Sequence, residues 1–448
     1  MKVLANVLHR FRGDWPFPAA KAPFFYGWVI AVVSTLGFLF SVPGQTMGMA
    51  VFADSFIAVT GLSRTELSFA YMLGTIASAL FLTRAGRFYD DYGPRLVLIG
   101  ASLLLGASVL FVSVVDLLSQ RLAAWTGTGV SGIAFCLMAA GYFGVRFSGQ
   151  GVMTSASRNM LMLWFERRRG LVSGARGVVV SLGFSLAPLM LALLIDAWQW
   201  RAALWWLALV VGPAFALLCL LLVRDSPGAC GLRADNQDTS EQTQTTLNPQ
   251  RSYTLREVRG NIVFWLYAMG LSVHAMFGTA VTFHIVAIFA EAGRSREAAF
   301  AYFIPHAMVS VTTSLSASTL ADYIRLKPLL LVMLAGFMLG AVGLVFLHYQ
   351  LGYWSLVLGF GVGGGLWGTL ANLVFIRHYG PKHLGEISGL NSTLTVFASA
   401  IGPVLFSVAY DTTGTFTTGP MLSIVILLVL FVASVLVKQP LDNIPQRR

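Results

Sequence analysis

Ala202-Ala203-Leu204-Trp205-Trp206-Leu207-Ala208-Leu209-Val210-Val211-Gly212-Pro213-Ala214-Phe215-Ala216-Leu217-Leu218-Cys219-Leu220-Leu221-Leu222-Val223 contains no charged or amide side chain. Such a run cannot supply the polar face of a soluble helix. It is long enough to cross a bilayer, which takes about 20 mostly apolar residues. The rest of the chain repeats the signal. Of 448 residues, 56% are hydrophobic and 11% charged, against roughly 25% charge in a soluble domain. A chain of this size with so little charge must expose apolar surface to lipid.

Twelve apolar runs follow, near 25–50, 66–84, 96–116, 133–164, 172–195, 202–223, 261–290, 298–320, 328–348, 353–376, 386–410 and 418–437. The expected fold class is an all-α membrane protein with twelve transmembrane helices in two pseudo-symmetric six-helix bundles. The stretch 224–259 includes Asn236-Gln237-Asp238-Thr239-Ser240-Glu241-Gln242-Thr243-Gln244, which is too polar to fold alone. The expected organisation is therefore a tail (1–24), a bundle (25–223), a linker (224–259), a second bundle (260–437) and a tail (438–448). The N-terminal segment is basic and broken by Pro16 and Pro18. It lacks the apolar core and cleavage site of a signal peptide.

The net charge of +11 is spread over short segments between apolar runs, which argues for topology rather than nucleic acid. With the N-terminus inside, only Arg64, Arg121, Arg201, Arg294 and Arg296 of the 30 Lys and Arg fall outside, and Arg146 lies within a helix. Both termini are expected in the cytoplasm of a multi-pass cell-membrane protein. Cys136, Cys219 and Cys230 lack metal-ligand spacing, and no metal or cofactor is expected.

The halves repeat. Gly170, Gly174, Pro188 and Asp196 recur as Gly385, Gly389, Pro403 and Asp411, all at one constant offset, and Asp90 and Arg95 recur as Asp322 and Lys327. The excess of the first half is placed near 117–132. Every third helix is almost wholly apolar, and the first, fourth, seventh and tenth hold most of the polar side chains. A lone polar group in lipid is costly, so these helices are expected to face a shared interior.

Gly86-Arg87-Phe88-Tyr89-Asp90-Asp91-Tyr92-Gly93-Pro94-Arg95 resembles the signature loop between the second and third helices of the major facilitator superfamily. Its glycines permit a tight turn and close helix approach, an anion such as Asp90 suits a helix N-terminus, and Arg95 offers a partner charge. The resemblance implies the major facilitator fold and a gating latch formed by Gly86, Asp90, Gly93 and Arg95, with Asp322 and Lys327 in the second copy. That copy departs from the pattern, with Ser318 and Arg325 at the glycine positions. Arg146-x-x-Gly149-Gln150-Gly151 is similar to a second signature, Arg-x-x-Gln-Gly, with one residue inserted. Trp164 to Gly170, Pro227-x-x-x-Gly231-Leu232, Phe264-Trp265, Glu386-x-Ser388-Gly389 and Gly402-Pro403 resemble the monocarboxylate and oxalate/formate branch. That branch often carries a cation in the eighth or eleventh helix, and this chain has none there at mid-depth.

Arg146 is the charge that fits no interface. In an α-helix Gln150 and Ser157 would share its face. It is either an anion anchor facing a cavity or a structural arginine held by carbonyls of a neighbouring helix. Arg158, nearer the cytoplasm, reads as structural. His284 and His306 could carry a coupling proton, or be satisfied hydrogen-bonding residues. The expected substrate pathway is Arg146, Gln150, Gln45, His284, His306 and Asn372. Gly359-x-Gly361-x-x-Gly364 lies in an apolar span, not at a strand-to-helix turn, and is no dinucleotide site.

These observations point to a monomeric secondary transporter and exclude paired acids, metal ligands or a nucleophile–base set typical of an enzyme. The expected partners are the lipid bilayer and a small-molecule solute, an organic anion such as a monocarboxylate, with proton or counter-anion coupling. Efflux of amphipathic compounds, and a non-transporting sensor of the same fold, remain as alternatives.

Overall fold

The computed structural model describes residues 15–165, 168–234, 253–321, 323–380 and 384–437, and no strand occurs among them. The chain divides into two compact units, Met1–Gln242 and Thr243–Arg448.

The first unit opens with α1 (Gly27–Phe40). The expected run near 25–50 is not one helix. Pro43 lies in a 3-10 turn, Val42–Gly44, and Gln45 is extended before α2 (Thr46–Ala50) and α3 (Ala53–Thr60) continue. The break lets the backbone approach the fourth span closely, since a Cβ on Gly44 would stand 2.5 Å from the Val145 carbonyl. Ser63 and Glu66 form a capping box, satisfying the first free N–H groups of α4 (Arg64–Ser113), which turns at Gly93 and so supplies the second and third spans.

The extra residues of the first half form α5 (Val115–Thr126). Its Asp116 pairs with Arg201 at 2.7 Å. The fourth span is α6 (Val130–Val145), a π-helical stretch Arg146–Met153, and α7 (Thr154–Trp164). The fifth and sixth lie in α8 (Arg169–Leu209), which turns at Gln199, a second π stretch Val210–Ala214 containing Pro213, and α9 (Phe215–Leu222). The segment before α1 is not loose. Phe17 and Trp15 lie over the cationic ends of Arg224 and Arg95, at 4.8 and 5.5 Å.

The second unit contains α10 (Leu255–Arg259), α11 (Ile262–Glu291), α12 (Arg296–Ala301), α13 (Phe303–Ala321), α14 (Leu326–Val345), α15 (Gln350–Tyr379), α16 (Leu384–Thr413) and α17 (Thr418–Leu436). Caps from Asn261 and Ser295 start α11 and α12. One core cluster gathers Phe264, Tyr267, Met333, Phe337 and Leu370. A second gathers Phe277, Phe289, Phe360 and Phe406. Spans nine and ten meet backbone to backbone, and a Cβ on Gly359 would lie 2.3 Å from the Gly340 nitrogen.

Among the described residues, ten segments are long and apolar enough to cross a membrane. One of these, Leu171–Leu222, holds two expected spans on either side of Gln199. The broken α1–α2 supplies the first. Each of the twelve apolar runs is thus helical, and the protein is an integral multi-pass membrane protein.

Candidate functional site

The stretch Gly86 to Arg95 is helical except at Gly93 (φ 78, ψ 167), a left-handed backbone that suits glycine. A Cβ there would lie 2.6 Å from Asp225 Oδ1. Gly86 serves no turn, which corrects the sequence expectation. The helix runs through it, and it lines a pocket of about 160 Å³ with Leu82, Tyr89, Gly151, Ser155 and Asn159. The side chain of Asp90 and all of Asp322 lie outside the described residues.

Arg95, expected to lend a partner charge, is 1% exposed. Its Nε and Nη2 donate to the Leu220 carbonyl at 3.1 and 2.5 Å, and Nη2 donates to the Trp15 carbonyl at 2.6 Å. Its backbone N–H donates to Asp225 Oδ1 at 3.2 Å. In the second unit Lys327 Nζ donates to the carbonyls of Val435 and Val437 at 3.0 and 2.9 Å. Both cations therefore satisfy carbonyls at a helix C-terminus, where positive charge is favoured.

Arg146 is 2% exposed. Its Nη1 donates to the Gly44 carbonyl at 3.2 Å and to Thr46 Oγ1 at 3.4 Å. The guanidinium carbon lies 5.2 Å from the Tyr71 ring centroid, and Tyr71 hydroxyl and Thr46 Oγ1 are 2.7 Å apart. Nε has no hydrogen-bond partner. Among the described residues no carboxylate pairs with this cation. The break in the first span exposes the Gly44 carbonyl, and Arg146 answers it. Gln45 lies at the same break and donates from Nε2 to Ser41 Oγ at 3.0 Å.

Arg146, Gln150 and Ser157 do not share one environment, which corrects the α-helical face count. Arg146 and Ser157 are buried and Gln150 is exposed. The stretch Arg146–Met153 is π-helical, and a π turn holds one residue more than an α turn. Each later side chain is displaced by about 100°. The stretch coincides with the residue inserted into the Arg-x-x-Gln-Gly pattern.

The sequence reading took Arg158 as structural and missed Arg176. Arg176 on α8 lies with its guanidinium carbon 4.6 Å from the Phe38 ring centroid, and Arg158 on α7 lies 6.0 Å from the same ring. Arg176 Nη1 is buried without a hydrogen-bond partner, and Arg158 is exposed. Neither pairs with a carboxylate among the described residues. The signal was available: Arg176 interrupts an apolar run, and Asn391, its counterpart in the repeat, is neutral.

In the second unit the expected residues lie apart. His284 is wholly buried, and its Nε2 lies 2.9 Å from the Pro403 carbonyl. A carbonyl can only accept, so Nε2 carries the hydrogen. His284 joins spans seven and eleven through this bond. His306 is half-buried beside the Tyr302 ring at 5.5 Å. His274 stacks on Phe337 at 4.4 Å and meets Trp367 at 5.2 Å. Asn372 is exposed and donates to Gly368 of its own helix at 2.9 Å. Among the described residues no group of three His, Cys, Asp or Glu is placed to hold a metal.

A family profile described as Major Facilitator Superfamily matches residues 34–403. No curated protein matches this sequence. Two crystal structures of a bacterial homolog to the human lysosomal transporter Spinster, both inward-facing, are 13% identical and cover 92% of this chain and 96% of theirs. Their TM-scores are 0.65 for the unoccupied form and 0.66 for the occupied one. A D-xylose-proton symporter is 16% identical with a TM-score of 0.65, covering 90% of this chain and 97% of its own.

Proposed function

Because this chain belongs to the Major Facilitator Superfamily, and is a transporter rather than an enzyme, we propose that it is a secondary active transporter for a small organic anion. The observation that carries this reading is the charge of the first unit. Arg146, Arg158 and Arg176 stand within its spans, and none pairs with a carboxylate among the described residues. A guanidinium in an apolar setting needs a counter-charge or a full set of acceptors. Arg146 finds acceptors at Gly44 and Thr46. Arg158 and Arg176 have only an aromatic ring, so a bound anion supplies what the protein lacks.

The transport cycle is alternating access between the two units, driven by a gradient rather than by ATP. A proton-coupled symporter shares this fold, which makes the proton the coupling ion to test first. His306 is the candidate carrier, since His284 is committed to Pro403. Both termini lie in the cytoplasm in this reading, and Asp90 latches the inner gate.

The test is uptake into vesicles holding the purified protein, with acetate, succinate, inorganic phosphate and xylose as labelled solutes, with and without a pH gradient. Uptake of an anion, competed by other anions and not by xylose, is expected. Xylose uptake indifferent to every anion would sink the reading.

A further inference from the structure

Arg158 and Arg176 come from different helices and meet on one aromatic ring, Phe38 of the first span. They stand at matching depth. Arg158 is six residues before the end of α7 at Trp164 and Arg176 seven after the start of α8 at Arg169, about 9–10 Å from the turn that joins them. Both guanidinium carbons lie within 6.0 Å of the centre of the Phe38 ring. Like charges gathered at one ring repel, and an anion placed against them relieves that repulsion.

The scaffold does not require them. At the equivalent positions of the repeat, the second half has Leu373 for Arg158 and Asn391 for Arg176, and α15 and α16 still form. A structural need common to both halves would leave a charge in both. The acceptors that make Arg146 and Arg95 structural are also missing here. Those two donate to backbone carbonyls, whereas Arg176 Nη1 is buried with no acceptor. Arg158 is open to an incoming partner. Its place over Phe38 at 6.0 Å leaves the N–H edges of a planar guanidinium, five donors in all, available.

We propose that Arg158 and Arg176 form a binding station for a soluble organic dianion, a small dicarboxylate, that bridges the two guanidiniums beside Phe38. Two cations call for two negative charges, because a monoanion would leave one guanidinium uncompensated. Each carboxylate can take two parallel N–H bonds from an arginine fork. Phe38 holds both forks in place and keeps water from one side. The proposal rests on the organic-anion reading above and narrows it from anions in general to dianions, at a place distinct from Arg146.

The experiment uses the purified full-length protein in neutral-lipid nanodiscs and measures its melting temperature against succinate, acetate and inorganic phosphate, then repeats with anionic lipid. Succinate is expected to raise the melting temperature at lower concentration than acetate. Arg158→Gln and Arg176→Gln are each expected to weaken the succinate response roughly tenfold or more. Arg158→Lys and Arg176→Lys keep the charge and lose the fork, and should lie between. If the Gln variants do not fold, the Lys variants decide. Responses unchanged in the variants overturn the station. So does a protein that is stabilised by anionic lipid and indifferent to succinate, which would make the occupant a headgroup. Uptake of an anion that survives both Gln substitutions overturns the station while leaving anion transport standing. Succinate binding that needs both arginines, without anion uptake, upholds the station and removes the transport reading instead.

Discussion

Arg95 and Lys327 do the same work in the two halves of the chain: each donates to the last carbonyls of the final span of its own unit. Arg95 reaches Leu220 and Lys327 reaches Val435, and these acceptors are themselves equivalent positions, related by the same offset as Gly170 and Gly385. The basic residue of the signature loop is thus a C-cap for a distant helix in both copies. Arg95→Ala leaves the part-buried carbonyls of Leu220 and Trp15 without this donor and should destabilise the protein by about 1–3 kcal/mol. Lys327 is more exposed, so Lys327→Ala should cost less, under about 1 kcal/mol. Thermal unfolding in detergent reads both, and equal melting of Arg95→Ala and wild type would refute the capping role.

The two glycines of that loop should respond in opposite ways. Gly93→Ala forces a side chain into a left-handed backbone (φ 78), a penalty of roughly 1–2 kcal/mol, and pushes its methyl against Asp225. Gly86→Ala meets no atom within 4 Å and gains helix propensity. Folded yield should fall for the first and hold for the second. Parity between them would mean that the turn lies elsewhere.

Thr46, Tyr71 and Arg146 form one network. Thr46→Val and Tyr71→Phe should each destabilise by about 1 kcal/mol. The double variant should fall short of the sum, because the two changes remove the same bond. Strict additivity in unfolding measurements would show that the Thr46–Tyr71 bond contributes nothing to stability.

His284→Ala removes the partner of a buried carbonyl at Pro403 and should lower stability by about 1–3 kcal/mol. His284→Gln, which can still donate, should recover part of it. The pH profile of transport should keep its shape in the Gln variant. A profile that loses its pH dependence there would return His284 to the proton pathway.

The helices were legible because apolar run length is a direct consequence of bilayer thickness. The repeat was legible because Gly, Pro and Asp at fixed spacing mark caps and bends. Two features were not. The break in the first span lies within an unbroken apolar run, and only Pro43 and Gly44 hint at it. The pairing of Arg158 with Arg176 depends on how three helices cross at Phe38, and no spacing along one helix encodes that. His284 shows the opposite limit. Its residue type announces proton chemistry, yet its environment makes it a hydrogen-bond donor to a backbone carbonyl.

The π stretch Arg146–Met153 makes the fourth span a shaft with an angular offset built into its length. Its surplus residue turns everything beyond it by about 100° relative to a plain α-helix, and Arg158 lies beyond it. Winding the same residues as a plain α-helix would swing Arg158 a quarter-turn or more away from Phe38, whereas excising one residue between Arg146 and Thr154 would restore an α register and leave Arg158 at nearly the same height and azimuth. The azimuth of a charge well past the joint is thereby set by how the joint is wound, not by any contact the charge itself makes.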